Sequence, residues 1–298
     1  MADIAASVLA KLKNKGKDSG ISYQQCLQLF FQEEFLRRLA GSKYAENFVL
    51  KGGLFIYTLT NFESRATVDV DFLMRGLNND LARMDEIIAE ILAVDTGNDF
   101  VAFKATKTEP IAVQRKYHGV SAQITGYIKN VRSPFNVDIG VGDVIVPHAE
   151  RRNIQTQLDG YDKPEILTYS LESTIAEKFD AILQRFELTG RMKDFYDIYY
   201  LSRTFDFDGL RLQTAIQETL QNRGTAYEKD SFTRVVALVD DEDMQMKWRY
   251  FLKTLGNSEI DFRNIMAGIR TFLEPVWSAI IAEIELLKQW SAEKNMWN

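Results

Sequence analysis

Thr67-Val68-Asp69-Val70-Asp71-Phe72 is the stretch whose reading decides the fold. Taken at period two it is a β-strand with two faces: Val68, Val70 and Phe72 on one, Thr67, Asp69 and Asp71 on the other. Two carboxylates side by side on one face repel, and burying them unpaired is costly. A divalent cation removes that cost, because carboxylate oxygens are natural ligands of Mg²⁺. Asp-x-Asp on a strand is therefore a candidate metal clamp. An edge strand with its polar face in water produces the same pattern.

Immediately upstream, the apolar run Phe48-Val49-Leu50 passes through Lys51-Gly52-Gly53 into Leu54-Phe55-Ile56-Tyr57, which suits a buried helix. A strand turning through glycines into a helix N-terminus presents backbone N–H groups that favour a phosphate. A tight turn needing positive φ uses glycine equally well. Downstream, in Phe135-Asn136-Val137-Asp138-Ile139-Gly140-Val141, Val137, Ile139 and Val141 share a face and Asp138 lies on the other. A strand so placed beside the Asp-x-Asp strand completes a three-carboxylate site.

Around this centre the chain alternates helical and strand periods. Ser22 caps a helix carrying Cys26, Leu27, Phe30, Phe31, Phe35, Leu36 and Leu39, with Glu33, Glu34, Arg37 and Arg38 on its polar face. Residues 78–93 read as a helix, and Val120 to Ile128 as a strand rich in β-formers. Lys163-Pro164 marks a boundary, giving a core over residues 1–164 and a helical C-terminal domain over 165–298. In the latter, Ser170 caps a helix with the apolar stripe Leu171, Ile175, Phe179, Ile182 and Phe186. Lys178 sits at the rim of that stripe, where it either extends to water or meets an anion between the two halves of the molecule. Asp194, one turn before Ile198, faces inward or simply complements its helix dipole.

The bulk properties limit the class. The chain has 298 residues, 46% hydrophobic and 26% charged, which is ordinary globular composition for one large domain or two smaller ones. No apolar run reaches membrane-spanning length, and residues 1–20 lack the apolar core of a signal peptide. Cys26 is the sole cysteine, which excludes an intrachain disulfide and fits a reducing cytoplasm. His118 and His148 are too few for a His-rich zinc site. The net charge of −6 argues against a surface coated in basic residues but permits a local basic patch. Lys104, Lys107, Arg115, Lys116, Lys129, Arg132, Arg151 and Arg152 cluster in the strand region and just after it. They are candidates to face RNA, against the ordinary alternative of a solvated charged face.

The order of these pieces resembles the AbiEii/AbiGii family of bacterial nucleotidyltransferases, the toxins of abortive-infection and toxin–antitoxin pairs. The matching pieces are a leading helix, Leu50-Lys51-Gly52-Gly53, Arg65-Ala66-Thr67-Val68-Asp69-Val70-Asp71-Phe72 and Asn136-Val137-Asp138-Ile139-Gly140 with Gly142-Asp143. Ala176-Glu177-Lys178-Phe179-Asp180 and Arg191-Met192-Lys193-Asp194-Phe195-Tyr196-Asp197 follow, so the likeness spans roughly the first two-thirds of the chain. Many members of the wider superfamily carry Gly-Ser at the glycine turn. Gly52-Gly53 stands here, so a serine contact to phosphate does not carry over.

The resemblance implies an α+β fold, with a nucleotidyltransferase-like mixed sheet flanked by helices and an α-helical C-terminal domain. It implies a Mg²⁺-dependent transfer of a nucleoside monophosphate from an NTP to an acceptor, often the 3′ end of tRNA. Asp69 and Asp71 would hold Mg²⁺ on the triphosphate. Asp138 would hold a second metal or take the proton of the attacking hydroxyl. Lys51, Gly52, Gly53, Arg65 and Thr67 would form the nucleotide-binding set, with Thr67 also open to a regulatory modification. Lys178 would neutralise triphosphate charge and Asp194 would orient it or the nucleotide. A winged-helix antitoxin encoded nearby, no membrane and a cytoplasmic location complete the expectation. A nucleotide- or RNA-binding module without turnover, or a structural partner of an antitoxin, are the competing readings. Retention of all three acidic positions argues against a degenerate site.

Overall fold

Two helices lead the chain. α1 (Ile4–Ser19), which the sequence analysis left unassigned, is capped by the Asp3 carboxylate accepting from the Ala6 N–H. α2 (Tyr23–Ala40) opens with a reciprocal cap: Ser22 Oγ accepts from Gln25 N at 3.2 Å, and the Gln25 side chain accepts from Ser22 N at 3.1 Å. The structure, a computed structural model, describes residues 3–111, 118–186, 190–256 and 260–298. It divides into two units, Met1–Gly142 with Ala149–Tyr169, and Asp143–His148 with Ser170–Asn298.

The first unit is built on a seven-stranded mixed sheet. Its elements are β1 (Phe48–Lys51), α3 (Gly52–Leu59), β2 (Val70–Met74), α4 (Leu81–Leu92) and β3 (Ala102–Ile111). They continue as β4 (Gly119–Ile128), β5 (Val131–Val141), β6 (Glu150–Asn153) and β7 (Glu165–Thr168). The strand order is β3-β4-β5-β2-β1-β7-β6. β2 runs parallel to β5, β1 parallel to β7, and the remaining neighbours are antiparallel. This is the mixed sheet with flanking helices that the family resemblance implies. Phe72 fixes which face of β2 is core: its ring lies 5.6 Å from Phe48 and 6.1 Å from Phe35 of α2, and Phe35 in turn lies 6.3 Å from Phe135 of β5.

Two expectations are corrected here. The period-two reading of residues 67–72 extends the strand too far. Pairing begins at Val70, opposite Val137, so Val68 stands before the ladder and its side chain is 59% exposed. Alternation of residue types does not by itself require a partner strand. The second concerns α2, whose polar residues do not face water: Glu33, Glu34 and Arg37 are buried with its aromatics. They bond to irregular segments instead. Glu33 accepts from Gln157 N at 2.8 Å, Glu34 accepts from Asn98 at 2.7 Å and Thr96 at 2.5 Å, and Arg37 Nε donates to the Asp162 carbonyl at 2.8 Å. Arg38 donates to the carbonyls of Leu92 and Val101. Buried polar groups persist where such partners exist.

The second unit is largely helical. It contains α5 (Leu171–Arg185), α6 (Met192–Thr204), α7 (Gly209–Arg223), α8 (Ser231–Ala237), α9 (Glu242–Thr254) and α10 (Phe262–Ala282). Ser170 caps α5, accepting from Ser173 N at 3.0 Å while its hydroxyl donates to the Val146 carbonyl at 2.5 Å. A small sheet in the order β10-β9-β8, formed by β8 (Phe207–Asp208), β9 (Gln289–Ser291) and β10 (Met296–Trp297), was not foreseen. Its strands are too short to show a period, and Trp290 and Trp297 hold it by packing on Phe272 at 5.0 and 5.9 Å. α10 has the length and mean hydropathy (1.3) of a membrane span, a feature the sequence analysis did not register. Its apolar side chains Ile265, Ile269, Phe272, Val276 and Trp277 are buried within the unit.

Burial outweighs the attraction of Arg37 at Glu33 and pushes the carboxyl up to about 8, so Glu33 holds its proton at neutral pH. The 3.7 Å approach of Arg37 Nη2 to Glu33 Oε2 is then not an ion pair under those conditions. A carboxyl whose folded pKa is raised leaves stability intact below the unfolded value near 4.5 and lowers it as pH climbs to about 8. Glu33→Gln is therefore expected to remove a fall in stability between those limits. Urea unfolding midpoints taken from pH 4 to 9 would show the variant gaining on the parent only toward alkaline pH; parallel curves would refute the assignment.

Candidate active site

The close approach of one carboxylate to a glycine organises the centre of the sheet. Lys51, the last residue of β1, lies opposite Asp71 of β2. The chain then turns through Gly52, with φ of 70°, directly into α3. That left-handed backbone favours glycine, and space demands it as well, since a Cβ at Gly52 would overlap the Asp71 carboxylate. A Cβ at Gly53 would lie 2.7 Å from Thr67 Oγ1. The glycine pair thus lets Asp71 and Thr67 sit against the backbone at the start of α3. Lys51 supplies no side-chain cap there, and the positive end of a helix favours a carboxylate or a phosphate.

Asp138 joins from the other side. β2 and β5 pair in parallel with Asp71 opposite Asp138, while Val137 and Ile139 are buried on the core face. Ser121 of β4 lies opposite Asp138 and donates its hydroxyl to Oδ1 at 2.6 Å. Ser121 was missed from sequence; its signal is the run of alternate polar positions Ser121, Gln123 and Thr125 on β4. Asp69 lies just outside the ladder, half-buried like Thr67 and Arg65 in the same irregular segment. Lys51 Nζ stands 5.1 Å from the centre of the Tyr169 ring. Among the described residues, no group of three or more His, Cys, Asp or Glu side chains is arranged to hold a metal ion. The donor chemistry nonetheless fits Mg²⁺: Asp71 and Asp138 are hard oxygen donors at adjacent register positions. Mg²⁺ usually takes one or two carboxylates and fills its remaining positions with water and substrate phosphate.

Within the second unit, Lys178 is 9% exposed and does not reach for water. Its Nζ lies 2.6 Å from Asp197 Oδ2 and 3.4 Å from Asp194 Oδ1, and Arg191 Nε lies 2.6 Å from Asp194 Oδ2. The two buried carboxylates are thus met by the buried Lys178 and by a half-exposed Arg191. Sequence reasoning singled out Lys178 and Asp194 but gave Asp197 no role. It also missed Arg223 of α7, which binds three acids at 2.9 Å each: Asp143, Glu177 and Asp180. No local spacing signals that cluster, because Arg223 comes to it from a separate helix.

Several of the cations proposed to face RNA already have acidic partners. Lys107 pairs with Glu109, Lys129 with Asp3, and Arg151 with Glu46. Arg152 lies 2.6 Å from Glu150 and donates to the Tyr169 carbonyl at 3.0 Å. Lys104 and Arg132 are exposed on β3 and β5. Arg115 and Lys116 lie outside the described residues.

A family model described as nucleotidyl transferase AbiEii toxin of type IV toxin–antitoxin systems matches residues 34–274. Among solved structures, MenT4, a nucleotidyltransferase toxin from Mycobacterium tuberculosis H37Rv, is similar with a TM-score of 0.55 and 15% identity. The likeness covers 91% of this chain and 98% of that one. JHP933 from Helicobacter pylori is similar with a TM-score of 0.50 and 13% identity, over 88% of this chain and 95% of that one. At these identities the likeness is one of fold. No curated protein matches the chain by sequence.

Two substitutions probe this geometry. Gly52→Ala places a methyl group where the Asp71 carboxylate lies, at a backbone angle alanine disfavours. A loss of at least about 1–2 kcal/mol in chemical unfolding is expected, together with altered backbone NMR shifts at Asp71. Lys178→Met removes the 2.6 Å ion pair to the buried Asp197 and one of the two cations on Asp194, and is expected to cost about 3–5 kcal/mol. Adding Asp197→Asn should recover part of the loss, and an unfolding midpoint unmoved by Lys178→Met would rule the ion network out as a stabilising element.

Proposed function

The chain belongs to the AbiEii family of nucleotidyltransferase toxins of type IV toxin–antitoxin systems, and from that premise we propose that it moves a nucleoside monophosphate from an NTP to RNA, at a tRNA 3′ end. Family membership makes it a nucleotidyl-transfer enzyme with a nucleotide substrate and an antitoxin partner. The acceptor, the use of Mg²⁺, a winged-helix antitoxin encoded nearby and a cytoplasmic location are our reading. The observation that carries it is the register of Asp71 beside Asp138, with Asp71 resting on Gly52 where α3 begins.

In this reading Asp69, Asp71 and Asp138 are the acidic residues that would hold Mg²⁺, which supplies a positive charge to draw the triphosphate in and offset repulsion between carboxylates. Gly52 and Gly53 leave the backbone of the α3 N-terminus accessible to phosphate oxygens. Lys51, Arg65 and Thr67 contribute a further two cations and a hydroxyl for the nucleotide. Asp138, steadied through Oδ1 by Ser121, would either join in holding the metal or take the proton of the attacking hydroxyl at its other oxygen. The hydroxyl oxygen forms its bond to the α-phosphorus as the bond to pyrophosphate breaks.

The test is direct: purified protein, Mg²⁺, each labelled NTP in turn and total bacterial RNA, followed by separation of labelled RNA. Asp71→Asn and Asp138→Asn keep the shape of the side chain and remove its charge. Both are expected to lose transfer by about 10³-fold or more while unfolding at nearly the parent temperature. Transfer at the parental rate by either variant would remove the carboxylates from the chemistry.

A further inference from the structure

Two side chains from α2 hold the backbone that leads to Asp69. Gln28 and Gln32 stand one helical turn apart and so share a side of α2. Each Nε2 lies 2.7 Å from the carbonyl oxygen of Val68. A carbonyl oxygen only accepts, so both amides must present their NH₂ groups to it. Two donors on one oxygen engage both lone pairs and fix the plane of the peptide joining Val68 to Asp69.

The surroundings show that this is not ordinary core packing. The Val68 side chain is exposed, so the residue is held through its backbone, whereas Gln28 and Gln32 are buried. Burying two primary amides is costly unless they are hydrogen-bonded, and apolar residues of similar size would fill the same space. The Gln32 Oε1 atom is buried without a partner, so this amide is retained at the expense of one unmet acceptor. The sheet ladder takes over only at Val70, opposite Val137. Asp69 therefore lies between two fixed points, the doubly bonded Val68 carbonyl and the first rung of β2.

We propose that Gln28 and Gln32 are positioning residues for nucleotidyl transfer: they clamp the Val68–Asp69 peptide so that the Asp69 carboxylate is presented together with Asp71 of β2. The inference rests on the reading of Asp69 as a metal-holding carboxylate. Groups that orient metal-holding side chains typically change metal affinity by about 10–100-fold when removed.

The test uses Gln28→Met, Gln32→Met and the double variant of the full chain. Without any ligand, amide hydrogen exchange across residues 65–74 should quicken by about tenfold or more in the double variant, with β4 and β5 unchanged. In the transfer assay, the Mg²⁺ concentration giving half-maximal rate should rise about 10–100-fold, while KM for the NTP at saturating Mg²⁺ changes by less than about threefold. Each single variant, retaining one donor, should show a smaller shift. Unchanged exchange, quickening spread evenly over the first unit, or a Mg²⁺ response equal to that of the parent each overturns the inference. Should the double variant not fold, the single variants carry the same comparisons. Full transfer by Asp69→Asn, alongside a confirmed local quickening, would instead overturn the role given to Asp69 and leave the clamp standing.

Discussion

A helix buried on nearly every side still has to place its polar side chains, and in α2 they are spent on the backbone of segments that the sheet cannot reach. Gln28 and Gln32 bond to Val68, Glu33 to Gln157, Arg37 to Asp162, and Arg38 to Leu92 and Val101. Glu34 meets the side chains of Thr96 and Asn98. Irregular backbone carries donors and acceptors that must be satisfied when they lie near the core. α2 does this while Phe35 packs on β2 and β5. The helix that sets the core thereby also sets the loops around it. A neutral Glu33 fits this arrangement, because Arg37 keeps its 3.1 Å ion pair to Glu34 without it.

The same arrangement explains where sequence reasoning fell short. Apolar spacing located α2 and its cap correctly, yet a polar residue on a helix reads as solvent-facing whether it meets water or a buried carbonyl. Strand faces were easier: Val137 and Ile139 are buried and Asp138 is not, as period-two alternation implies. Alternation could not say where pairing stops, so Val68 was taken into β2. The glycine pair was legible as a turn, but the overlap that forbids a side chain at Gly52 depends on Asp71, a residue from another strand. Ser121 and Arg223 were out of reach for the same reason: each meets its acid from a separate element, and one sequence does not report strand or helix order.

The sheet and the helical unit place their carboxylates differently. At Lys178, opposite charges are brought together until they balance, with Arg191, Asp194 and Asp197 completing the set. At Asp71, the carboxylate is set on a glycine at the start of a helix, with a second carboxylate in register beside it. The second sets two carboxylates at adjacent register positions against the backbone where a helix begins.

The parallel pairing of β2 with β5 also governs when the centre can come into being. Asp71 and Asp138 are neighbours in space, but α4, β3 and β4 must all be synthesised between them. A chain still emerging from the ribosome and not yet past β4 has the glycine turn and Asp71 without their partner strand. Closing that long connection is also the kind of non-local step that slows folding. In a member of a toxin family, this topology imposes a delay: a nascent chain remains without its paired carboxylates until most of the first unit has been made.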